Sequence, residues 1–494
     1  MPNIALDTDV LIVGAGPVGL LLANECARRG LRWRLIEGRP SQSEHSKALA
    51  IFPRTLEIFD MAGVVAPFIE AANRVTSIDV IAHGRRLAYM PFAPEESPYP
   101  FIAMVPQNLT ERLLVEQLTR KNGAVEYETS FVSAVQDEDF ARVTLDRKGQ
   151  SRELTAAWVV GCDGAHSAVR HQLNLPFEGA EYQDLFLLAD VETNETFPAH
   201  QLQLCPNESG PLAIFPMIAT RRRIVATIPN AERDAASLEL VNRILNQRAA
   251  AGIHARALHW SSYFHIHHRR VAQLRQGRIF LAGDAAHIHS PFGGQGMNTG
   301  LHDVWNLVWK LDLVLRGHGN EDLLNSYSSE RLPVIKHVIG ITDFLTRAMA
   351  TANMFAQTLR NAIIPMVSRL APFQHMFVQM LSELGIAYRG SPIIEGPGKR
   401  YMDDTMRGGK GILSRFLLLL GNDVESPATE AAKQLTGSFP EIVELRMTQG
   451  QGVALVRPDG YLAYSKSSGD SSAALRSVRS LIERQTNQAG AANS

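Results

Sequence analysis

Cysteine is scarce in this sequence, and so are long apolar runs and any excess of one charge. Only three cysteines, Cys26, Cys162 and Cys205, occur among 494 residues, and their spacing fits neither a disulfide framework nor a metal site. The formal net charge is −1 at pH 7, which gives no electrostatic support to a nucleic-acid or anionic-membrane partner. The scarcity of cysteine favours a protein of the reducing cytoplasm.

Membrane and export signals are also missing. No apolar stretch is long enough, and free enough of charge and glycine, to cross a bilayer. The apolar run near the N-terminus lacks a basic leader, follows Asp7 and Asp9, and is interrupted by glycines, so we do not interpret it as a signal peptide. With 45% apolar and 20% charged residues, the chain has the composition of an ordinary globular enzyme. Its length corresponds to about three domains.

The clearest motif lies in residues 9–39. The apolar run at 10–13 predicts a strand, the sequence GAGPVG at 14–19 predicts a glycine turn, and the stretch up to Gly30 predicts a helix. A second strand is predicted at residues 33–36, and Glu37 follows it directly. This order of elements is typical of a dinucleotide-binding unit.

Each residue of that motif has a physical task. Gly14 permits a tight turn, Gly16 lets the backbone approach a pyrophosphate, and Gly19 lets helix and strand pack closely. The helix N-terminus attracts the phosphates. Glu37 can accept hydrogen bonds from both hydroxyls of an adenosine ribose, and it would repel a 2′-phosphate. The motif therefore favours FAD or NAD over NADP, and leaves open which dinucleotide binds.

Two further strands end in acidic turns. The predicted strand 158–161 leads into Asp163-Gly164, and the strand 279–282 leads into Gly283-Asp284. A glycine-rich loop follows, and a helix is predicted from about Asn298 to Arg316. An Asp-Gly pair after a strand is by itself a common turn. Only the combination with the other motifs gives Asp163 a functional interpretation.

The remaining segments predict further units. Residues 77–100 and 180–268 are strand-rich, with an alternation that suits a sheet covered on one face. Residues 331–385 are predicted to be helical, and residues 390–410 are predicted to be a linker. A small α/β segment follows from 411, beginning with a strand at 416–420.

In this order, the three motifs resemble those of the group A FAD-dependent aromatic monooxygenases, which share the p-hydroxybenzoate hydroxylase fold. The resemblance implies an α/β protein. Residues 1–395 would form a Rossmann-like FAD-binding domain of the glutathione reductase type, with an inserted, mainly β substrate domain at roughly 77–101 and 180–268. Residues 396–494 resemble the thioredoxin-like domain of the phenol and polyketide hydroxylase branch, most clearly at 457–461 (RPDGY), and they contain no cysteine.

The resemblance also implies a function. The chain would be an NAD(P)H-consuming monooxygenase that hydroxylates a phenolic or polyketide-like ring through a flavin C4a-hydroperoxide. Its cofactors would be FAD, transiently docked NAD(P)H and O2, and its partner a small aromatic substrate, with a homodimer as one assembly. The single GxGxxG fingerprint fits transient NAD(P)H docking. Two alternatives stay open: a flavin-dependent dehydrogenase or reductase without oxygen insertion, and a non-catalytic FAD-binding protein.

Site residues follow from the same resemblance. His289 and Pro291 are the candidate catalytic residues, because His289 precedes the flavin-facing Pro291. Lys47 stands where family members usually carry an arginine. The histidines at 265–268 and 287–289 do not have the spacing of a metal site, and the base that would activate the substrate is not identified. The expected cofactor-binding residues are Gly14, Ala15, Gly16, Pro17, Gly19, Glu37, Gly38, Arg39, Lys47, Gln107, Asp163, Gly164, Gly283, Asp284, Pro291, Gly293, Gly294, Gly296, Met297 and Asn298.

One physical argument supports the last residues of this list, from Pro291 to Asn298, as neighbours of the flavin ring. A reduced flavin carries negative charge on its ring. A helix that begins near Asn298, after glycines that allow close backbone approach, offers N–H donors to that charge.

Overall fold

The structure is a computed structural model that describes residues 6–44, 46–194, 197–228, 236–290, 293–350, 354–409, 413 and 415–486. Within these residues, no helix combines the length and the apolar character needed to cross a membrane. The strands and helices alternate along the chain, so the protein is a mixed α/β structure.

The strands, in chain order, are β1 (Thr8–Val13), β2 (Trp33–Ile36), β3 (Ala50–Ile51), β4 (Asn73–Val75), β5 (Ser77–Ala82), β6 (Arg85–Pro91), β7 (Ile102–Met104), β8 (Val125–Glu126), β9 (Thr129–Gln136), β10 (Ala141–Arg147), β11 (Gln150–Gly161), β12 (Glu178–Thr193), β13 (Gln201–Cys205), β14 (Leu212–Pro216), β15 (Arg221–Ile228), β16 (Ala255–Arg270), β17 (Arg275–Gln276), β18 (Ile279–Leu281), β19 (His287–Ile288), β20 (Phe416–Gly421), β21 (Val443–Thr448), β22 (Val453–Val456) and β23 (Leu462–Lys466).

The helices, in chain order, are α1 (Pro17–Arg29), α2 (Pro53–Met61), α3 (Ala66–Ala71), α4 (Gln107–Arg120), α5 (Ala168–Gln172), α6 (Leu238–Arg248), α7 (Gly296–Leu315), α8 (Glu321–Ala350), α9 (Met354–Val367), α10 (Ala371–Ser382), α11 (Ser426–Ser438) and α12 (Ser471–Gln485). Short 3₁₀ turns lie at Gly283–Ala285 and Asp404–Met406.

The first motif folds as predicted. α1 begins at Pro17, whose fixed φ suits the first turn of a helix. It ends at Gly30, which adopts the left-handed conformation with φ 70°. β2 ends at Ile36, so Glu37 follows the strand directly. The helix α7 begins at Gly296, two residues before the predicted start.

One sheet brings the three motifs to the same edge. Its strand order is β17-β18-β11-β1-β2-β8, and β18, β11, β1, β2 and β8 run parallel. Val13 at the end of β1 is paired with Gly161 at the end of β11, and Gly161 is paired with Leu281 of β18. The turns that follow these strands are therefore neighbours, at the edge where α/β sheets bind ligands.

A second sheet has the order β19-β16-β12-β15-β14-β13-β5-β6 and is largely antiparallel. Both faces of its central strands are covered, so the expectation of one covered face was wrong there. Leu187 and Ile214 pack beneath α6, whereas Phe186 and Phe215 point the other way into an apolar cluster that includes Phe377 of α10. Helices on both sides bury both sets of alternating side chains.

The C-terminal unit has the sheet order β21-β20-β22-β23 and is flanked by α11 and α12. The segment before it, predicted as a linker, forms little regular structure but is anchored to the first domain. Arg400 forms an ion pair with Glu57 at 3.2 Å, and Arg407 pairs with Asp60 at 2.8 Å. Its glycines and prolines disfavour helix and strand, while its arginines fasten it in place.

Candidate cofactor site

The glycine turn after β1 touches the turn after β11. Gly14 has φ +101°, and a Cβ there would lie 2.5 Å from the carbonyl oxygen of Cys162 and 2.8 Å from the Cα of Asp163. Only glycine can occupy this position without displacing the second motif. A Cβ at Gly16, by contrast, would meet no atom of the described residues within 4 Å. The backbone of Gly16 therefore faces open space at the N-terminus of α1.

The third motif closes on the same helix. A Cβ at Gly283 would lie 3.0 Å from the Val18 side chain, and a Cβ at Gly300 of α7 would lie 2.8 Å from that same side chain. Val18 of α1 is thus enclosed by the turn after β18 and by the first turns of α7. The three motifs that are separate in sequence form one site.

Glu37 lies beside the glycine turn. Its carboxylate accepts hydrogen bonds from the N–H of Ala15 at 2.9 Å and from the N–H of Arg39 at 3.0 Å. Burial alone would raise the pKa of Glu37, but the hydrogen bonds from Arg39 and Ala15 outweigh burial and lower it. The carboxylate is therefore ionised at neutral pH and can accept further hydrogen bonds.

Asp284 and Lys47 lie in different parts of the chain, and both residues are exposed. The protein atoms packed around the Asp284 carboxyl group partly desolvate it and raise its pKa, and the positive charges of His287 and Lys47 partly offset that increase. The exposed carboxylate is in the third motif, and the exposed Lys47 ammonium is in the loop after β2.

Side chains from α4 and from the second sheet hold the loop that carries Lys47. Gln107 accepts a hydrogen bond from the N–H of Ala48 at 3.1 Å and donates to Glu111 at 2.9 Å. The buried Arg223 of β15 donates to the carbonyl oxygens of Lys47 at 3.3 Å and Ala48 at 3.1 Å. The amide group of Gln107 is thus already engaged with protein atoms.

Arg223 was not among the predicted site residues. Its guanidinium forms a bidentate pair with Asp190 of β12, at 2.7 and 2.8 Å. The available sequence signal was an arginine within the apolar strand of residues 221–228, but its partner lies 33 positions away. The pair connects the second sheet to the cofactor loop.

Asp163 and Asn298 also bind protein atoms. Asp163 accepts from the Ser167 hydroxyl at 2.5 Å and from the N–H of Val169 at 3.1 Å, so it supports the N-terminus of the short helix α5, whose N-cap is Ser167. Burial raises its pKa, although these hydrogen bonds oppose the increase. Asn298 accepts from the N–H of Phe52 at 3.0 Å and donates to the carbonyl oxygen of Ala50 at 3.0 Å. Asn298 therefore fastens β3 to the start of α7.

Comparison with known proteins decides the family. Residues 7–342 match the family described as an FAD binding domain. The 6-methylpretetramide 4-monooxygenase of Streptomyces rimosus is 33% identical, over 94% of this chain and 91% of that protein. The chain belongs to the family of FAD-dependent aromatic monooxygenases.

Two further relatives agree. Pentachlorophenol 4-monooxygenase of Sphingobium chlorophenolicum is 31% identical, over 68% of this chain and 64% of that protein. The solved structure of the anhydrotetracycline hydroxylase OxyS from Streptomyces rimosus has a TM-score of 0.76 and 26% identity, covering 93% of this chain and 96% of that one. This monooxygenase therefore uses FAD, with O2 and reduced NAD(P)H as co-substrates, as the resemblance implied.

The residues of this monooxygenase fit FAD. Gly16 leaves the N-terminus of α1 open where a side chain would block a pyrophosphate. Glu37 is ionised, and the exposed Asp284 carboxylate feels the positive charge of the exposed Lys47. The first N–H groups of α7 have no partner within the helix, as in every helix, and they follow the glycines at 293–296.

A buried network supports the Asp284 turn in this monooxygenase, and the sequence did not reveal it. Asp303 of α7 accepts hydrogen bonds from the N–H of Gly283 at 3.0 Å, from His287 Nε2 at 2.7 Å and from Arg331 Nε at 2.7 Å. Burial would raise the pKa of Asp303, but Arg331 and His287 lower it to about 2. A permanent charge thus fixes the start of the third motif.

Of the two candidate catalytic residues, His289 is described and Pro291 lies outside the described residues. His289 is half-buried, its Nδ1 lies 3.1 Å from the carbonyl oxygen of Ser290, and its Nε2 has no hydrogen-bond partner among the described residues. The ring lies beside Gly296, at the start of α7. Burial, helped by the charge of His287, lowers the pKa of His289 to about 4. His289 is therefore neutral at physiological pH.

No group of three or more histidine, cysteine, aspartate or glutamate side chains is arranged to hold a metal ion within the part of the chain that the structure describes.

Proposed function

We propose that this monooxygenase hydroxylates a phenolic or polyketide-like aromatic ring, held between the glycine loop at 293–296 and the second sheet. One observation carries the proposal: an apolar, aromatic-rich cluster lies directly against that loop. A Cβ at Gly294 would lie 3.5 Å from the Phe52 ring. Phe52 belongs to a cluster of buried side chains from β3, the second sheet and α10, which includes Phe92, Phe186, Leu188, Phe215, Val225, Phe377 and Leu381.

Several features of this cluster suit a flat aromatic substrate. The rings of Phe186 and Phe264 are stacked with centroids 5.8 Å apart, and those of Phe373 and Phe377 are stacked at 6.3 Å. An aromatic ligand packs favourably against such faces. An apolar wall also keeps water from the reacting atoms, which oxygen transfer requires. The relatives that act on 6-methylpretetramide and pentachlorophenol support the same substrate class.

The proposed roles of the site residues follow the geometry. Gly14, Gly16 and Gly19 with the N-terminus of α1 bind the FAD pyrophosphate, Glu37 binds the adenosine ribose, and Asp284 and Lys47 bind the part of the cofactor between them. When bound, FAD accepts a hydride from NAD(P)H and activates O2. The N–H groups at the start of α7 stabilise negative charge on the reduced ring. The other residues predicted to bind FAD stay predictions; among them, the side chains of Asp163 and Gln107 bond to protein atoms and would act by shaping the turns around the cofactor.

His289 has a proposed role in orientation. As a neutral ring with Nδ1–H directed to the Ser290 carbonyl oxygen, it presents Nε2 as an acceptor. A substrate hydroxyl could donate to this nitrogen. With a pKa of about 4, His289 orients the substrate and is too weak a base to remove its proton at neutral pH. Pro291 stays a prediction.

The finer domain assignment is part of this proposal. The second sheet serves as the substrate domain inserted into the FAD-binding domain at 1–395. The C-terminal unit at 396–494 is a thioredoxin-like domain without dithiol chemistry, because it has no cysteine. A homodimer is proposed as the assembly, and light scattering of the purified protein measures it.

The test of the function is oxygen incorporation. The purified holoenzyme is supplied with NADH or NADPH, a panel of mono- and polycyclic phenols, and ¹⁸O2. We expect a subset of the phenols to stimulate NAD(P)H oxidation and to yield a product that contains one ¹⁸O atom. A dehydrogenase would turn over without O2 and give an unlabelled product, and a non-catalytic flavoprotein would show no substrate-stimulated oxidation. Either result would overturn the proposal.

Asp284→Ala is expected to weaken FAD binding. Loss of a charged hydrogen-bond acceptor costs about 1.5–3 kcal/mol, which raises the FAD dissociation constant about 10- to 100-fold. Fluorescence titration of the apoenzyme with FAD measures the change. Asp139→Ala, which removes an exposed carboxylate in the turn between β9 and β10, is the control and should bind FAD normally. Full FAD affinity in Asp284→Ala would contradict the assigned role.

A further inference from the structure

An isolated carboxyl group lies in the core beside α7. Glu383 ends α10, and its backbone has the left-handed angles φ 59° and ψ 11°, which a non-glycine residue adopts only at a cost. Its side chain is 1% exposed. Among the described residues, neither carboxyl oxygen has a hydrogen-bond partner of good geometry. An ionised carboxylate in such surroundings would be strongly destabilised.

The nearest polar group is a histidine that is buried as deeply. His302 of α7 is 2% exposed, and its Nε2 lies 3.4 Å from Glu383 Oε2. The same Nε2 lies 3.0 Å from the hydroxyl oxygen of Thr55 in α2. The imidazole therefore stands at the junction of three helices, α2, α7 and α10.

The charged groups around this junction have partners of their own. Arg331 of α8 donates to Asp303 at 2.7 Å, and Arg54 of α2 donates to Glu57 at 3.0 Å. Their positive charges still disfavour a protonated His302. Burial is the largest cause of a pKa of His302 well below its usual range, and the charges of Arg331 and Arg54 add to this effect. The negative charge of Asp303 opposes the shift. The imidazole is neutral.

Glu383 is shifted in the opposite direction. Burial raises the pKa of its carboxyl group to about 8, although the positive charge of Arg331 opposes the increase. At neutral pH the carboxyl group therefore carries a proton. A carboxylic acid has one O–H donor, and a neutral imidazole has one acceptor nitrogen. His302 Nε2 is the acceptor within reach of Glu383, and the Thr55 hydroxyl shares it. Nδ1 then carries the ring proton, and it has no hydrogen-bond partner among the described residues.

The junction lies one helical turn beyond the start of α7, which follows the glycine loop at 293–296. Asn298 and His302 are four residues apart in α7 and so share one face, where Asn298 holds Phe52 and His302 contacts Thr55. Gln295, immediately before α7, donates to the carbonyl oxygen of Met380 in α10 at 3.1 Å. Gln295 therefore fastens one end of this contact between α7 and α10 with a hydrogen bond, and Glu383 lies opposite His302 at the other end.

We propose that Glu383 and His302 are a positioning pair, in which protonated Glu383 donates a hydrogen bond to His302 Nε2 and so fastens α10 against α2 and α7 behind the cofactor cleft. Loss of the Glu383 proton leaves a carboxylate opposite a lone pair in the protein core. The contact then loosens, and the loop that begins α7 loses its support. The pair makes FAD binding depend on pH through a group that does not touch FAD.

The sign of the pH effect follows from proton binding. The unfolded carboxyl group titrates at about 4.3, so between that value and pH 8 the folded state holds an extra proton and stability falls as pH rises. His302 acts oppositely, but only below its unfolded pKa of about 6.5, where the unfolded chain binds the extra proton. Between pH 6.5 and 8, therefore, Glu383 changes the stability of the protein and His302 does not.

Glu383→Gln tests the pair. Glutamine has nearly the same shape and can donate an N–H to Nε2, but it does not titrate. In the wild-type holoenzyme we expect thermal stability to fall from pH 6.5 to 8.5, with the FAD dissociation constant increasing about fivefold or more. In Glu383→Gln the fall in thermal stability and the increase in the FAD dissociation constant should both be absent, with FAD affinity at pH 6.5 close to wild type. Glu383→Ala should bind FAD weakly at every pH.

A second measurement does not depend on any variant. In the wild-type holoenzyme with ¹⁵N-labelled histidine, the His302 ring should stay neutral from pH 6 to 9 and shift as Glu383 titrates. A wild-type pH profile retained in Glu383→Gln, or a His302 imidazolium at pH 7, would overturn the proposal. These measurements need no substrate, so their failure is distinguishable from failure of the proposed hydroxylation.

Discussion

Glu330→Gln is expected to lower the free energy of unfolding by about 3–5 kcal/mol, the cost of leaving a buried charge without its partner. Glu330 of α8 lies between Lys310 of α7, at 2.8 Å, and Arg457 of the C-terminal unit, at 2.5 and 2.9 Å. Asp459 forms a second ion pair with Arg457. All four side chains are 0% exposed. Without the Glu330 charge, two cations face one anion in the core.

The loss of unfolding free energy in Glu330→Gln should depend on pH. Burial lowers the pKa of Lys310 to about 8, although Glu330 opposes this shift. Without the Glu330 carboxylate, the pKa of Lys310 falls further, so the folded variant releases that proton below pH 8. The unfolded chain keeps it up to about pH 10.4. Because the unfolded state then binds more protons than the folded state, the stability of the variant increases as pH rises. The difference in free energy of unfolding between wild type and variant therefore becomes smaller between pH 6 and 8.

Denaturant unfolding at pH 6, 7 and 8 measures this effect. Glu430→Gln is the matched control, because it removes a carboxylate from an exposed ion pair with Lys433, which contributes about 1 kcal/mol at most. Equal stabilities of the two variants would show that the cluster does not join the C-terminal unit to the first domain. Limited proteolysis should cut Glu330→Gln first around residues 396–409.

Gly16→Ala is expected to abolish tight FAD binding while leaving the apoprotein folded. A Cβ at Gly16 meets no described atom within 4 Å, and its backbone angles, φ −74° and ψ 179°, suit any residue. The apoprotein should lose less than about 1 kcal/mol, the cost of alanine at an N-cap. The methyl group, however, occupies space that the pyrophosphate needs. Displacement of two or more charged hydrogen bonds, at about 1.5–3 kcal/mol each, raises the dissociation constant more than about 100-fold.

Gly14→Ala separates this effect from damage to the fold. A Cβ at Gly14 would overlap the carbonyl oxygen of Cys162, and φ is +101° there, so the apoprotein itself should lose about 3 kcal/mol through overpacking and strain. Fluorescence titration with FAD, combined with thermal unfolding of each apoprotein, distinguishes the two variants. If Gly16→Ala bound FAD as tightly as the wild type, the pyrophosphate could not bind at the N-terminus of α1 as proposed.

The cofactor-binding unit can be recognised from the sequence because its signals are local. The strand β1, the glycine turn, the helix α1 and the position of Glu37 depend on residues within 30 positions of one another. Backbone geometry alone requires Gly14, and a helix N-terminus attracts phosphate whatever surrounds it. The order of the three motifs was specific enough to imply the family that the comparisons show.

Other expectations failed or were incomplete because they depended on distant partners. The second sheet is covered on both faces, since α6 packs on one side and α10 approaches the other. Nothing in the sequence indicated that the Asn298 side chain holds the backbone of Ala50 and Phe52, and its predicted contact with the flavin stays a prediction. A sequence pattern shows that a position is polar, but it does not show which of several neighbours will use its hydrogen bonds.

The sequence by itself determined the dinucleotide-binding turn, the acidic residue after β2 and the family, because short-range sterics and helix electrostatics leave few alternatives at those positions. Only the tertiary structure decided which charges are buried together: Arg223 with Asp190, Asp303 with Arg331, Glu330 with Arg457, and Glu383 beside His302. The physical reason is that a buried charge or proton is stable only with a partner, and these partners meet across distant segments once the sheets and helices have packed.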